Sequence, residues 1–298
     1  MDITILILTY NEEKHLQRCL SSVRGIANKV IVIDSFSTDN TKIVALENEA
    51  LFFQNKFINQ AQQLTWALSH CEIDSEWIFR LDADEYLLPE LQNEIRLTLP
   101  TLSKEICGIF IKRRLIFLNG WIRHGGNYPI WILRIWRNGR GSCENRWMDE
   151  YIKLNEGKTI RLKNDFVDEN LNSLDWWIQR QNHYSNREMI QAVIDRHKTL
   201  TEMDIIPQFG GKPDQHKRFL KKVYGKFPIF IRPFLLFHFN YFLRGGFLDG
   251  YPGLIRHFYI SFWYRFLIDS KLYEIERRAG NNFVELKSII RNEYGYEI

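Results

Sequence analysis

The 298-residue sequence lacks the cysteine patterns that mark zinc fingers and disulfide-linked scaffolds. Its cysteines are Cys19, Cys71, Cys107 and Cys143, and no two of them form a Cys-x-x-Cys pair. Such wide spacing argues against a structural zinc site and a disulfide framework, and it favours reduced thiols in a cytosolic compartment. Neither an internal repeat nor a low-complexity tract is present, so an ordinary globular protein is expected.

The sequence also lacks the two glycine-rich motifs that commonly hold nucleotide phosphates. No Gly-x-Gly-x-x-Gly follows the first apolar run, and no Gly-x-x-x-x-Gly-Lys-Ser/Thr occurs. Both motifs work by presenting backbone amides to phosphate oxygens. Because this chain has neither, a bound diphosphate would need a different positively charged partner.

Long hydrophobic runs are absent as well, although a membrane-spanning helix needs about 20 consecutive apolar residues. The apolar run near the start covers only residues 3–9 and follows no basic segment, so we expect a strand and not a secretory signal. The aromatic stretch 217–268 is interrupted by Arg232, His238, Asn240, Arg244 and Arg256. We therefore expect no membrane span in it.

Aromatic residues and positive charge are abundant in the last third of the chain. The sequence has 21 Phe, 13 Tyr and 9 Trp, and residues 212–256 contain nine Lys/Arg against two Asp. This composition is typical of helices that lie in a membrane interface, where each basic residue contributes about 1 kcal/mol near anionic lipid. The alternative is a helical subdomain whose aromatic side chains are buried. We expect an anionic membrane surface as a partner and, since no RNA-binding signature occurs, no nucleic acid.

The first hundred residues alternate between continuous apolar runs and helical patterns. Strands are predicted at 3–9, 29–34, 51–54 and 76–82, and helices at 12–23, after 37–40 (capped by Ser37 or Thr38) and at 58–69. Uninterrupted Val/Ile/Leu strands separated by helices predict an α/β fold, with a mostly parallel sheet covered on both faces. Strands are also predicted at 107–118 and 130–137, and a long helix follows residue 172.

Polar residues follow three of the predicted strands. Thr9, Tyr10 and Glu12 follow the first, Asp34 ends the second, and Asp82 and Asp84 follow the fourth. Ligands of parallel sheets bind at the carboxyl ends of the strands, so we expect these groups to converge.

The Asp82-Ala83-Asp84 sequence has two interpretations. Its carboxylates could share Mg²⁺ or Mn²⁺ with phosphate oxygens, or they could belong to a solvated turn before the helix at Pro89. Asp34 likewise could accept a hydrogen bond from a base N–H, or could be a turn residue. For Asp34 the spacing alone does not favour either.

Taken together, ITILILTYNEEKHLQRCLSSV, VIVIDSFSTDNT and WIFRLDADEYL resemble the nucleotide-sugar half of the inverting glycosyltransferases of family 2, which have the GT-A fold. The segment 113–137 is similar to one in bacterial β-glucosyltransferases of lipopolysaccharide core assembly, and FLRGGFLDGYPGL is similar to tails of surface-polysaccharide glycosyltransferases. The resemblance covers about the first half of the chain. It implies a nucleotide-sugar half at 1–105, an acceptor side at 106–170 and a helical region at 171–298 that is a candidate for membrane association.

The resemblance also implies roles for individual residues. Those lining the pocket of a UDP-sugar would be Thr9, Tyr10, Glu12, Asp34, Gln63 and Asp82, with Asp34 on the uracil. Asp82 and Asp84 would bind Mg²⁺ or Mn²⁺ on the diphosphate. Related enzymes place a His-Glu pair where this chain has Asp149-Glu150, so Glu150 is the expected general base and Asp149 the reserve. Arg123 and His124 are further candidates for contacts with diphosphate or acceptor.

The expected activity is therefore metal-dependent transfer of a hexose, with glucose from UDP-glucose as the first choice. Lipopolysaccharide core, O-antigen or a capsule or exopolysaccharide glycan, linked to lipid, would be the acceptor. The expected location is cytoplasmic and peripheral, on the inner face of the bacterial inner membrane. The alternative is a non-catalytic scaffold of the same assembly pathway that binds a lipid-linked glycan.

Overall fold

The computed structural model describes residues 2–148, 150–197, 205–280 and 282–296. The chain divides into two compact units. The first contains Met1–Asn145 and Glu150–Leu171, and the second contains Arg146–Asp149 and Asn172–Ile298.

The first unit has a mixed sheet covered by helices. Its strands are β1 (Ile3–Thr9), β2 (Lys29–Asp34), β3 (Leu51–Gln54), β4 (Trp77–Asp82), β5 (Glu85–Leu87), β6 (Ile106–Phe117), β7 (Gly120–Trp121), β8 (Ile130–Arg137), β9 (Gly141–Cys143), β10 (Ile152–Leu154) and β11 (Lys158–Glu169). Its helices are α1 (Glu13–Val23), α2 (Thr41–Glu47), α3 (Gln60–His70) and α4 (Pro89–Thr98), and a 3₁₀ turn covers Leu99–Thr101.

The main sheet has the strand order β3-β2-β1-β4-β8-β6-β11-β5, and β7 pairs with β6. Strands β3, β2, β1 and β4 are parallel, whereas β8 runs antiparallel to both β4 and β6. One buried core cluster packs α1 and α4 on one face, and a second packs α3 on the other. The expected α/β architecture, with helices on both faces of the sheet, is confirmed.

The sheet curls, because β5 follows β4 after only two residues yet pairs with β11, which lies three positions beyond β4 in the strand order. The backbone N–H of Glu169, at the end of β11, donates to the carbonyl of Asp84 at 3.1 Å. The turn of Ala83 and Asp84 therefore joins strands from the two ends of the curled part. This places its acidic side chain at the rim of the sheet.

The predicted cap of α2 is wrong. The helix begins at Thr41, and Asn40 occupies the N-cap position without a side-chain capping bond. The Ser37 hydroxyl donates instead to Asp34, and the Thr38 backbone N–H donates to the side chain of Asn11 at 2.8 Å. These two residues therefore tie the loop after β2 to the strand ends.

The second unit is helical in its described residues. Its helices are α5 (Leu174–His197), α6 (Pro213–Gly225), α7 (Ile231–His238), α8 (Gly250–His257), α9 (Tyr264–Ala279) and α10 (Phe283–Ile289), with π-helical segments Phe239–Leu243, Phe258–Trp263 and Ile290–Tyr294 and a 3₁₀ turn Gly246–Asp249. Apolar residues of α5, α9 and α10 form its buried core. Among the helices of the described residues, none is long and apolar enough to cross a membrane.

Candidate active site at the carboxyl ends of the strands

The ends of β1, β2 and β4 lie side by side at one edge of the sheet. Thr9 is paired in register with Asp34, and Leu8 with Asp82. Both faces of these strands pack into apolar core, and the polar residue that ends each strand lies at the edge of the sheet. Three of the predicted site residues therefore share this edge.

Asp34 is fully buried and organises the loop that follows β2. Its carboxylate accepts hydrogen bonds from the Thr9 hydroxyl at 3.0 Å, the Ser37 backbone N–H at 2.8 Å and the Ser37 hydroxyl. The fourth donor is the exposed side chain of Gln54, whose Nε2 lies 3.2 Å from Oδ2. Among these donors Thr9 is buried and Ser37 is half-buried, whereas Gln54 is exposed.

Glu12 is held by a buried histidine that the sequence analysis did not single out. His15 Nε2 accepts from the backbone N–H of Leu171 at 2.8 Å, so Nδ1 carries the ring proton of the neutral form and donates to Glu12 Oε2 at 2.7 Å. His15 is fully buried and Glu12 is 7% exposed. The pair fixes the orientation of the Glu12 carboxylate at the end of β1. Tyr10, in contrast, is exposed.

Gln63 lies at the same edge, on the second turn of α3. Its Oε1 accepts from the Asn55 side chain at 2.8 Å, and its Nε2 donates to Ser35 Oγ and to the Asn55 carbonyl, both at 3.2 Å. The side chain is buried, and these bonds link the residues that follow β2 and β3. In this geometry Gln63 supports the loops around Asp34.

Two arginines flank Asp82. Arg80 Nη2 lies 3.3 Å from Asp82 Oδ1, and Arg134 Nη2 lies 3.4 Å from Oδ2. Burial alone would raise the pKa of Asp82, but the charges of the two arginines outweigh it and hold the pKa below its ordinary value. Asp82 therefore stays ionised, and its charge is shared with two buried guanidinium groups.

Arg134 also anchors Glu85, the first residue of β5. Its Nη2 donates to Glu85 Oε1, and Glu85 Oε2 accepts the backbone N–H of Asp82 at 2.9 Å. Both side chains are almost completely buried, and the Arg134 guanidinium lies 5.1 Å from the centre of the Phe166 ring. This contact fixes the turn that carries Asp84.

Asp84 is partly exposed at the rim, and Asn170 Nδ2 donates to its Oδ2 at 3.1 Å. Burial and the nearby negative charges of Glu12 and Asp82 raise its pKa. Among the contacts described above, the two arginines lie beside Asp82, whereas Asn170 contacts Asp84 and His15 contacts Glu12. An added positive charge at this point would lower the repulsion between Asp84 and Glu12.

The donor set for a metal is small. In the part of the chain that the structure describes, no group of three or more His, Cys, Asp or Glu side chains is arranged to hold a metal ion. Mg²⁺ is commonly bound by one or two carboxylates together with phosphate oxygens and water. The hard carboxylate oxygens of Asp82 and Asp84 therefore fit a cation whose remaining ligands come from a diphosphate and from solvent.

Glu150, the expected base, is buried beside Arg80. Arg80 Nη2 lies 3.2 Å from Glu150 Oε1, so the same guanidinium touches Glu150 and Asp82. Burial raises the pKa of Glu150, and the Arg80 charge opposes the rise. The raised pKa makes its carboxylate a stronger proton acceptor than an exposed glutamate. Asp149, the reserve base, lies outside the described residues.

Arg80, Arg134 and His15 are the residues of this site that the sequence analysis missed. Arg80 and Arg134 each interrupt a strand that is otherwise apolar, within WIFRLD and IWILRIWR. A charged residue in such a strand needs a buried partner, since an unpaired internal charge is very costly. That signal indicates a nearby acid, although it does not say which one.

Comparison with known proteins agrees with this architecture. Residues 4–129 match the model of the family described as glycosyl transferase family 2. Residues 4–129, which lie in the first unit, are therefore similar to family 2 glycosyltransferases, the family that the sequence analysis expected.

Two named relatives support the same class. An uncharacterized glycosyltransferase of Rickettsia bellii is 41% identical over 93 residues, covering 31% of this chain and 31% of that protein. The lipopolysaccharide core biosynthesis glycosyltransferase LpsC of Rhizobium meliloti is 30% identical over 122 residues, covering 38% of this chain and 43% of LpsC. The chain thus spans about a third of the length of the first of these relatives.

Among solved structures, glucosyl-3-phosphoglycerate synthase from Mycobacterium tuberculosis, in complex with Mn²⁺, UDP and glucosyl-3-phosphoglycerate, is 20% identical. The match covers 38% of this chain and 43% of the synthase with a TM-score of 0.32.

Proposed function

We propose that this chain is an inverting glycosyltransferase that moves a hexose, with glucose from UDP-glucose as the expected donor. The acceptor would be a lipid-linked glycan of the bacterial envelope: lipopolysaccharide core, O-antigen, or capsule or exopolysaccharide. The observation that carries the proposal is the family 2 domain whose Asp82-Ala83-Asp84 turn lies at the strand ends, with the buried Glu150 joined to it through Arg80. The proposed division is a donor half at 1–105, an acceptor side at 106–170 and a helical region at 171–298.

The uridine would bind beside Thr9, Tyr10 and Asp34. The exposed Tyr10 ring offers a face for the base, and the uracil N–H would replace Gln54 as the outer donor to Asp34. At 3.2 Å, the Gln54 contact is the longest of the four hydrogen bonds to the Asp34 carboxylate. The Gln54 side chain is exposed, so it can move aside. Glu12 and Gln63 would hold the surrounding loops through the bonds described above.

Asp82 and Asp84 would hold Mg²⁺ or Mn²⁺ together with the donor diphosphate. When bound, such an ion neutralises the negative charge that develops on the departing diphosphate. Arg80 and Arg134 keep Asp82 ionised and fix its orientation, while Asn170 orients Asp84. The protein thus presents oxygen ligands at the rim before the donor arrives.

Glu150 would act as the general base. The acceptor hydroxyl oxygen forms a bond to the anomeric carbon as the bond from that carbon to the phosphate oxygen breaks. The hydroxyl proton passes to the Glu150 carboxylate, and UDP leaves with the bonding electron pair. Attack from the face opposite the phosphate inverts the anomeric configuration, and a positioned base of this kind contributes about 10²–10⁴-fold to the rate.

The second unit would bind the membrane that carries the acceptor. Large apolar side chains on α7, α8 and the segments between them are exposed, including Phe234 at 57%, Leu243 at 70% and Tyr251 at 82%. They lie in the stretch 212–256, where nine Lys/Arg accompany two Asp. Exposed aromatics beside basic residues suit the interface of an anionic leaflet. The proposed location is accordingly the cytoplasmic face of the bacterial inner membrane.

The Glu150→Gln substitution tests the proposed enzyme against the scaffold alternative. It preserves shape and the contact with Arg80 but removes the proton acceptor. We expect UDP-glucose binding to persist and the rate of UDP release, with membrane glycolipid as acceptor, to fall at least a hundredfold. Equal rates in the wild type and the variant would reject Glu150 as the base. No turnover by the wild type with any UDP-sugar, despite glycolipid binding, would favour the scaffold.

A further inference from the structure

A second polar cluster lies in the first unit, along strands β6, β8 and β11, away from the strand ends that carry Asp34 and Asp82. Phe110 and Leu133 belong to the buried core on the face that packs α3. The next pair of residues on the same face is Lys112 and Trp131, which are paired in register. The apolar core therefore ends at this pair. The side chains beyond this point are aromatic and charged.

Asp165 of β11 forms the polar centre of this cluster and is only 5% exposed. Lys112 Nζ lies 3.2 Å from its Oδ1, and Arg114 Nη2 lies 3.2 Å from its Oδ2. The Tyr128 hydroxyl donates to the same carboxylate at 3.1 Å. The single acid is therefore matched by two cations and a phenol, which hold Lys112 and Arg114 in fixed positions.

Three aromatic rings surround these cations. Trp121 lies edge-on to Tyr128, with ring centres 5.4 Å apart, and the guanidinium groups of Arg114 and Arg123 lie 4.3 and 4.4 Å from the Trp121 ring centre. Arg161 lies 5.0 Å from the centre of the third ring, that of Trp131. Cation–π contacts of this kind orient the guanidinium groups at low entropic cost.

Cationic side chains are prominent among the described residues of the cluster. Those of Lys112, Arg114, Arg123 and Arg161 lie around the Asp165 carboxylate and the aromatic rings. Arg123 and Arg161 are exposed and the three rings are half-buried, so a ligand from solvent can reach them. Arginine binds phosphate and carboxylate oxygens through paired N–H groups, and aromatic rings pack against the apolar faces of saccharides.

The cluster is connected to the candidate active site by β11. Asp165 lies four residues before Glu169, which corresponds to roughly 13 Å along a strand. The backbone of Glu169 in turn contacts Asp84. We propose that this cluster is a subsite for an oxyanion, a phosphate or a carboxylate, carried by the saccharide acceptor. The inference rests on the proposed function in one respect, namely that the bound saccharide is the acceptor.

The test uses the full chain and three probes: glucose 6-phosphate, glucuronate and glucose. Binding is measured by calorimetric titration with UDP and Mn²⁺ at saturation, so that phosphate cannot enter the donor site, and again without them. We expect one or both anionic sugars to bind at least about tenfold more tightly than glucose, the change that one charge-assisted hydrogen bond brings. Which of the two binds distinguishes phosphate from carboxylate.

The Arg123→Gln/Arg161→Gln double variant should weaken the anionic sugar about tenfold or more and leave UDP affinity unchanged. Lys163→Gln is the matched control, because Lys163 is an exposed cation on the same strand, and its anion affinity should equal that of the wild type. The subsite is rejected if the double variant binds like the control, if the three probes bind alike, or if UDP displaces the anionic sugar. If UDP itself does not bind while the anionic sugar does, the proposed function fails and the subsite remains.

Discussion

The contact between Arg134 and Glu85 fixes the turn that carries Asp84, and Arg134→Met tests its contribution to stability. Glu85 is 2% exposed and its Oε1 accepts from Arg134. Removing the arginine leaves a buried carboxylate without its cation, for which measured costs are about 3–5 kcal/mol in the free energy of unfolding. Domains are stable by only about 5–15 kcal/mol, so this is a large fraction of the total.

The cost should depend on pH. Burial raises the pKa of Glu85 and the Arg134 charge opposes the rise, so the variant has a still higher folded-state pKa. A carboxyl whose pKa is raised on folding contributes its full stability below the unfolded pKa, near 4.3, and loses it as pH rises toward the folded value. The variant should therefore lose more stability at pH 8 than at pH 5, by about 1.4 kcal/mol for each additional unit of pKa within that range.

Urea denaturation at pH 5 and pH 8 measures this effect, with Arg134→Met/Glu85→Gln as the second variant. The double substitution removes both charges, so its stability at pH 8 should return to within about 2 kcal/mol of the wild type. Two results would refute the reasoning: a loss below about 1 kcal/mol at pH 8 in the single variant, or a double variant no more stable than the single one.

Three further predictions concern the site and the second unit. Arg80→Met removes the cation beside Glu150, so the pKa of Glu150 should rise further and the acidic limb of the pH–rate profile for UDP release should move to higher pH; an unmoved limb would contradict the link between the two residues. Asp34→Asn should weaken UDP binding about tenfold in calorimetry while Gln54→Ala does not weaken it, and equal losses would reject the proposed base contact. Phe234→Ser/Leu243→Ser should lower sedimentation with anionic vesicles at least tenfold without changing the thermal midpoint, whereas unchanged sedimentation would reject membrane binding through this surface.

Local sequence pattern was sufficient for most of the sheet. The predicted bounds of β1, β2, β3 and β8 are those observed, because each is a short run of apolar, largely β-branched or aromatic residues ending at a polar residue or a turn. The helix predicted at 58–69 is observed at Gln60–His70, where the Asn59 side chain accepts the Gln62 backbone N–H and so sets the start.

Contacts between distant parts of the chain account for what the sequence did not reveal. The sequence predicts that Ser37 or Thr38 caps a helix, but the Ser37 hydroxyl donates to the buried Asp34 instead. That contact depends on how β1 and β2 pair. β5 has only three residues, and it forms because β11 offers it an edge. Likewise, Arg80 meets Glu150 across 70 positions of sequence, a separation over which residue pattern carries no pairing information.

The same limit applies to the candidate site. Asp34, Asp82 and Asp84 were predicted from their positions at strand ends and Glu150 from the family resemblance, and the structure adds the groups that hold them in place. These supporting groups lie within apolar strands or on a helix face, where a single charged residue gives no indication of its partner. Their roles follow from how the strands and helices pack together.

Calorimetric titration of UDP into the full chain, with Mn²⁺ and then with EDTA, tests the central claim most directly, that the acids after β4 hold a diphosphate through a divalent cation. The wild type should bind UDP at least about tenfold more tightly with Mn²⁺. Asp84→Asn, which keeps an oxygen acceptor for Asn170, should lose that gain. Equal UDP affinity with Mn²⁺ and with EDTA, or an undiminished gain in Asp84→Asn, would contradict the account.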